Sequence, residues 1–354
     1  CCIIDIYRNI NSYTSSGEAE RKVQQTMSQA EKTDIASELE RAVKDILSEI
    51  SQEREREIIS RRFGLYDRKE TLEQIGEMLG ITRERVRQLE KAILVRLRLL
   101  VADGALTSVT SMEKVLTTNL VEMGRVARIH DLANHILERD SEMTERSRVA
   151  FIAELVSTIT IVNENDNYYQ AAAIQSVGDE KTIRKQVDEI VAFIKKHGEP
   201  TTAEEMHEHL NYEHPSNITA LASVSKKLAE LKGKWGLTKW PTVNPKNIRD
   251  KIFVILEDNG KPMHFSEIAK SIKDSDFKRK NVTTQAIHNE LIKDKRFVLI
   301  GRGIYALDTW GYTRGTVAEI IADVLKKAGE PLHRDEIVKR VLSNRQVKET
   351  KIGR

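Results

Sequence analysis

The sequence predicts a mainly helical protein with small β-hairpins, built as a string of compact modules. Three observations carry this. All six prolines lie at or beyond Pro200, so the first half can run through helices with little interruption. Aromatic residues are only 5% of the 354, too few for large sandwiches or stacking platforms. A helix–glycine–helix pattern also recurs along the chain.

The composition narrows the function as well. With 40% hydrophobic and 31% charged residues, the chain reads as a folded, water-soluble protein. No apolar run approaches the ~20 residues that span a bilayer, and CCIIDIYRNI lacks the basic and long apolar segments of a secretory signal. Net charge is +3, too small by itself to announce a nucleic-acid partner. Cys1 and Cys2 are adjacent and are the only cysteines, which fits a cytoplasmic protein with no disulfide framework or cysteine-based zinc site. The chain does not open on Met, and residues 1–26 show no sustained helical period, so they are expected to be a tail or non-native upstream sequence.

From Leu39, the residues Leu39, Val43, Ile46, Leu47 and Ile50 recur at helical spacing. In REREIISRRFGL, Ile58, Ile59 and Phe63 share a helix that Gly64 can close in the left-handed conformation. In TLEQIGEMLGITRERVRQLEKAILVRLR, residues 71–98, Thr71 and Gln74 make a capping box. Leu72, Ile75 and Leu79 face inward, Gly80 turns the chain, and Thr82 caps the next helix. Val86, Leu89, Ile93 and Leu97 form that helix's apolar stripe. Two short helices joined by a glycine turn are a helix-turn-helix.

The stripe leaves Glu84, Gln88 and Lys91 on the opposite face, flanked by Arg83 and Arg87. Arg suits guanine edges, Gln suits adenine, and Glu accepts from the cytosine amino group. Arg83 to Arg98 hold six Lys or Arg against two Glu, so positive charge concentrates here. A solvated bundle helix is the competing reading. The capping box, glycine turn and mixed face occurring together favour DNA.

These segments resemble region 4 of the sigma-70 family of bacterial RNA polymerase initiation factors, over about residues 37–100, with TRERVRQLE as the specific motif. The resemblance implies a module that reads the promoter −35 element in the major groove and touches the polymerase. It implies base reading by Arg83, Glu84 and Gln88, and phosphate contacts by Arg85, Arg87 and Lys91. Glu53 stands where the family often has proline. The chain has no counterpart of the family's aromatic-rich region 2, so a full initiation factor is not expected.

After a linker around residues 102–112, Gly124, Gly198, Gly260 and Gly329 set a repeat with spacings of 74, 62 and 69. Eight residues before each stand Leu116, Ile190, Ile252 and Ile321, and four before stand Leu120, Ile194, Leu256 and Leu325. Eight after stand Leu132, Met206, Ile268 and Ile337; twelve after stand Ile136, Leu210, Ile272 and Val341. Pro200, Pro262 and Pro331 share one offset. In the third copy a helix at 281–292, capped by Asn281, precedes RFVLIGRGIYAL, a hairpin turning through Gly301, Arg302 and Gly303. Three helices and a hairpin make a winged helix. The first copy has candidate strands in TITIVNENDNYYQ, and Trp240 and Trp310 close copies two and three as core anchors.

GKPMHFSEIAKSI and RFVLIGRGIYALDTW resemble the HARE-type winged helix-turn-helix family, which includes the N-terminal domain of the polymerase delta subunit, over about residues 246–312. The family is associated with DNA or transcription machinery. A second nucleic-acid surface is expected at Lys278, Arg279, Lys280, Thr283, Gln285, His288, Asn289 and Arg302; a polar face for protein, or for no ligand, is the equal alternative.

The domain reading is a tail at 1–26, a sigma region 4-like helix-turn-helix at 27–105, a degenerate winged-helix repeat at 112–175 and further modules at 182–243 and 245–312. A partial fourth repeat at 314–354 is either incomplete or truncated. His207, His209 and His214 sit near Glu204, Glu205 and Glu208, but histidines at i and i+2 point to different helix faces, so no metal site is read. His264 and His333 share one repeat position and are expected to cap helices. No cofactor motif, small-molecule site or catalytic constellation stands out, and no enzyme is expected.

The resulting expectation is a cytoplasmic, nucleoid-associated transcription protein whose partners are −35-like duplex DNA and RNA polymerase core. The alternatives are an adaptor docked on polymerase that scarcely reads DNA, and the recognition subunit of a DNA-modifying system.

Overall fold

Helix α1 (residues 35–48) opens the described part of the computed structural model, which covers residues 35–275, 277, 281–312 and 317–344. The expected tail lies outside it. Leu39, Val43, Ile46, Leu47 and Ile50 are all buried, as their spacing predicts. Helix α2 (Glu53–Phe63) buries Ile58 and Ile59 and ends at Gly64, whose φ of 66° turns its N–H back to the Arg61 carbonyl. Helices α3 (Leu72–Leu79) and α4 (Arg83–Ala102) follow.

The rest is one pattern repeated: helix, short strand, two helices, two strands. The first copy holds α5 (Thr107–Glu122), β1 (Val126–Arg128), α6 (Ile129–Leu137), α7 (Met143–Leu155), β2 (Ile159–Val162) and β3 (Ala171–Ile174). The second holds α8 (Glu180–His197), β4 (Thr201–Thr202), α9 (Ala203–His209), α10 (Pro215–Val224), β5 (Leu228–Leu231) and β6 (Lys234–Leu237). The third holds α11 (Ile248–Asn259), β7 (Met263–His264), α12 (Phe265–Asp274), α13 (Thr284–Lys293), β8 (Phe297–Gly301) and β9 (Ile304–Leu307). Helices α14 (Val317–Ala328) and α15 (Arg334–Asn344) complete the described chain.

Each copy closes a three-stranded antiparallel sheet in the order β1-β3-β2, β4-β6-β5 or β7-β9-β8. The last strand always lies in the middle. The short strand before the second helix therefore pairs with the far strand of the hairpin, as in Val126 with Ala173 and Met263 with Tyr305. Gly124, Gly198, Gly260 and Gly329 all have φ between 62° and 87°, the left-handed region a helix needs to reverse sharply.

The described residues fall into two compact units. One holds the chain up to Phe193 together with Ala203–Lys226; the other holds Ile194–Thr202 and the chain from Lys227 onward. In the first unit a continuous core runs from Leu39 through Leu97, Val109, Leu116 and Phe151 to Ala172. Packing therefore does not break at the boundary read between 105 and 112. Only residues 103–106 separate α4 from α5, and Leu106 is itself buried, so the expected linker is mostly helix.

Other expectations shift. The fourth copy buries Ile320 and Val324 while Leu325 is 37% exposed, so its inward stripe runs one residue earlier than the repeat alignment placed it. Thr283, not Asn281, caps α13, its Oγ1 accepting from Ala286 N at 3.2 Å. In the first copy only 159–162 of the expected strand segment forms a strand, paired with the alanine-rich Ala171–Ile174, while Tyr168 makes an isolated bridge to Ser225. Trp240 and Trp310 are half-buried, whereas Trp235, paired to Thr201 in the sheet, is 5% exposed and is the deeper anchor. The large indole is seldom wholly covered at a module's end.

His264 and His333 cap their helices as expected, their Nδ1 atoms accepting from Ser266 N and Asp335 N at 3.3 Å each. His214 does the same for α10, and His209 packs its ring 5.7 Å from Phe193. The last ten residues, 345–354, lie outside the described part. Among the described residues, no helix is long and apolar enough to cross a membrane.

Candidate nucleic-acid interface

The helix-turn-helix is set by local chemistry. Thr71 Oγ1 accepts from Gln74 N at 3.3 Å while Thr71 N donates to Gln74 Oε1 at 2.9 Å, so both halves of the capping box form. Gly80 reverses the chain at φ 66°, and Ile81 N donates back to the Gly76 carbonyl at 2.9 Å. Thr82 Oγ1 then accepts from Arg85 N at 3.2 Å and starts α4. Ile58, Ile75 and Val86 form the buried centre between α2, α3 and α4, with Leu72, Leu79, Ile81 and Leu89 around it. Arg54 donates to the Leu79 carbonyl at 2.6 Å, placing a cation on the C-terminal end of α3.

Gly76 is a residue that sequence reading passed over. A Cβ there would stand 2.7 Å from the Ile81 carbonyl oxygen, a backbone atom of the turn. The glycine thus lets the turn fold back onto α3, and an isolated glycine inside a helical pattern was the available signal. Gly76→Ala is expected to destabilise the module by about 1–3 kcal/mol through overpacking, despite alanine's better helix propensity. Thermal melting checks this, and an unchanged or raised midpoint would contradict it.

Arg83, Glu84, Arg85, Arg87, Gln88 and Lys91 are all exposed on α4, opposite the buried Val86, Ile93 and Leu97. Several already have partners. Arg83 pairs with Glu73 of α3 at 2.8 Å, joining the two helices across their exposed side. Glu84 receives Arg87 at 2.6 and 2.8 Å and Gln88 at 3.1 Å. Those hydrogen bonds hold the Glu84 carboxyl down to about 2. Its folded-state value lies below the unfolded one, so this charge pairing is present above the ordinary carboxylate range and is lost only as pH falls toward about 2. The pair therefore stays charged in any neutral buffer. Arg85 and Lys91 carry no ion pair among the described residues.

The remaining cations of the stretch are structural. Arg96 pairs with Glu55 of α2 at 2.7 Å, and Arg98 with Glu154 of α7. Arg62 of α2 holds Glu90 at 3.2 Å. The positive charge counted along α4 thus divides into an outer set near its N-terminus and an inner set that fastens the helix to its neighbours.

Glu84 also sets how freely Arg87 can reach a phosphate. Glu84→Gln is expected to release it, raising affinity for unrelated duplex and steepening log K against log salt by about 0.9, the increment for one added phosphate contact. A slope identical to the parent's in a filter-binding titration would show that Arg87 does not reach the backbone.

The second expected surface is less open. Lys278, Arg279 and Lys280 lie outside the described residues. Thr283 is engaged as the helix cap, and His288 packs 4.8 Å from Phe265 and 6.2 Å from Tyr305, ring centroid to centroid. Each thus has a structural role that competes with ligand contact. Gln285 and Asn289 bond to one another at 3.0 Å on the exposed side of α13, and Arg302 stands exposed at the hairpin turn.

A capped pair of helices with a charged, base-competent face on the second defines a DNA-binding helix-turn-helix. Residues 52–99 match the family Sigma-70, region 4. The matching stretch is 44% identical over 61 residues to RNA polymerase sigma factor SigA of a Bacillus species, 17% of this chain and 16% of that protein. It is 48% identical over 65 residues to RNA polymerase principal sigma factor HrdC of Streptomyces coelicolor, 18% of each chain. RNA polymerase sigma factor RpoD of Helicobacter pylori is 43% identical over 66 residues, 18% of this chain and 10% of that one. The chain therefore spans less than a fifth of the length of each of these curated relatives. This part of the chain is a sigma-like DNA-binding domain of the region 4 type.

Proposed function

We propose that this chain is a bacterial transcription protein that reads a −35-like element through α4 and contacts RNA polymerase, without enzymatic activity of its own. The exposed Arg83, Glu84 and Gln88, placed on a capped helix over a buried stripe, support this best. The relatives are named as RNA polymerase sigma factors, which supports polymerase as the protein partner. The three sheet-closed repeats fit winged-helix modules of the HARE type, and tandem modules would raise avidity for a shared DNA or polymerase target. The setting would be the bacterial cytoplasm, on the nucleoid.

Titrating the full chain against randomised duplex DNA at two salt concentrations, and sequencing the bound pool, tests this reading. Enrichment of a −35-like motif is the expected result. Weak binding without enrichment, falling steeply with salt, would reduce it to phosphate attraction.

A second reading is an adaptor docked on polymerase with little base reading. Leu99 and Val95, 63% and 48% exposed on the last turns of α4, favour it because they offer apolar surface beside the DNA face. Under that reading Leu99→Asp would break co-purification with polymerase and leave DNA affinity unaltered.

A further inference from the structure

In the first unit, away from the exposed face of α4, a cleft of about 690 Å³ lies between the loop after α2 and the first repeat. Its walls include Arg68 and Lys69 from the loop, Arg128, Arg146 of α7, Glu164 and Tyr169. Some of this charge is already balanced. Arg128 is paired with Asp131, and Lys226 with Glu164 at 2.7 Å, while both cations lie 5.3 Å from the Tyr169 ring centroid.

Arg68, Lys69 and Arg146 have no carboxylate within ion-pair distance among the described residues, though Glu164 acts on Lys69 from farther off. Arg146 donates to Ser141 Oγ at 2.8 Å and to the Ser141 carbonyl at 2.6 Å; Lys69 donates to Gln170 Oε1 at 3.1 Å. These neutral acceptors aim the cations without neutralising them. Burial pulls the Lys69 ammonium below the usual lysine value, against the opposing pull of Glu164. Arg68 and Lys69 are nonetheless exposed and Arg146 is half-buried, so the three line an open cleft where like charges repel one another, and an anion that bridges them removes that cost.

Arginine's planar fork matches phosphate oxygens, and the volume is that of a nucleotide-sized ligand rather than a single small ion. We propose that this cleft binds a phosphate-bearing ligand of nucleotide size, with Arg68, Lys69 and Arg146 holding its phosphates. A free nucleoside polyphosphate and a nucleic-acid strand present the same chemistry. The site is independent of whether α4 reads bases.

Calorimetric titration of the full chain with pyrophosphate, ATP and a short oligothymidine tests it. Pyrophosphate and ATP should compete for one site, and the double variant Arg68→Glu, Lys69→Glu should weaken both by about tenfold or more. Glu164→Gln should tighten binding, a gain that misfolding cannot produce. Arg83→Ala with Gln88→Ala should leave pyrophosphate binding unchanged. If oligothymidine displaces ATP, the natural source is a nucleic-acid strand; if ATP binds and the oligomer does not displace it, the source is a free nucleotide. Absence of binding by all three probes, or equal affinity in the double variant, would overturn the site.

Discussion

Replacing Phe151 with alanine is expected to cost about 3–5 kcal/mol and to destabilise the helix-turn-helix along with the repeat that contains it. Phe151 is fully buried on α7, and its ring lies 4.8 Å from that of Phe63, the last residue of α2, at 55° between planes. Arg148, one turn earlier, donates to the Leu65 carbonyl at 3.1 Å. Truncation would leave a cavity where the region 4-like helices meet the first repeat. Urea unfolding with hydrogen exchange read on peptides from 53–102 would measure the result. Their exchange should accelerate in step with that of peptides from 107–155. If only the repeat's peptides respond, the two parts are separately stable and the shared core carries no cooperativity.

Arg83→Ala and Gln88→Ala should each cost about 1–3 kcal/mol on the preferred site and relax sequence preference at the base each one reads. Arg87→Ala should instead weaken all sequences nearly alike, because phosphates carry no base identity. The Arg83–Glu73 pair adds a distinguishable component: Arg83 must exchange an exposed carboxylate for a base edge. Exposed pairs contribute little, so this exchange costs far less than a bidentate base contact returns. Competition binding against single-base variants of the selected site separates the two classes. Uniform loss from Arg83→Ala and Gln88→Ala would place both among the phosphate contacts and shift weight to the adaptor reading.

The elements differ in how far their own residues specify them. The capping box at Thr71, the Gly80 turn, the Thr82 cap and the Val86–Ile93–Leu97 stripe all depend on neighbours within a few positions, so their spacing specifies them. The four repeat glycines were legible for the same reason: only a left-handed residue lets a helix reverse there. Strands β1, β4 and β7 were missed because two or three extended residues have no period. They exist only because the hairpin's second strand, some 40 residues further along in each copy, offers free backbone groups. The displaced stripe of α14 was misread because adjacent apolar residues, Ile320 and Ile321, leave its phase open.

By itself, then, the sequence determined the helix-turn-helix with its caps, the repeat glycines and the polar face of α4, all governed by local hydrogen bonding and helical period. Tertiary structure alone decided which cations serve which end. Arg85 and Lys91 remain without carboxylate partners, Arg96 and Arg98 fasten α4 to Glu55 and Glu154, and Arg68, Lys69 and Arg146 meet in one cleft from segments far apart in sequence. Charge is carried by every Arg and Lys alike in sequence; its use depends on which acid, carbonyl or solvent the fold brings within a few ångströms.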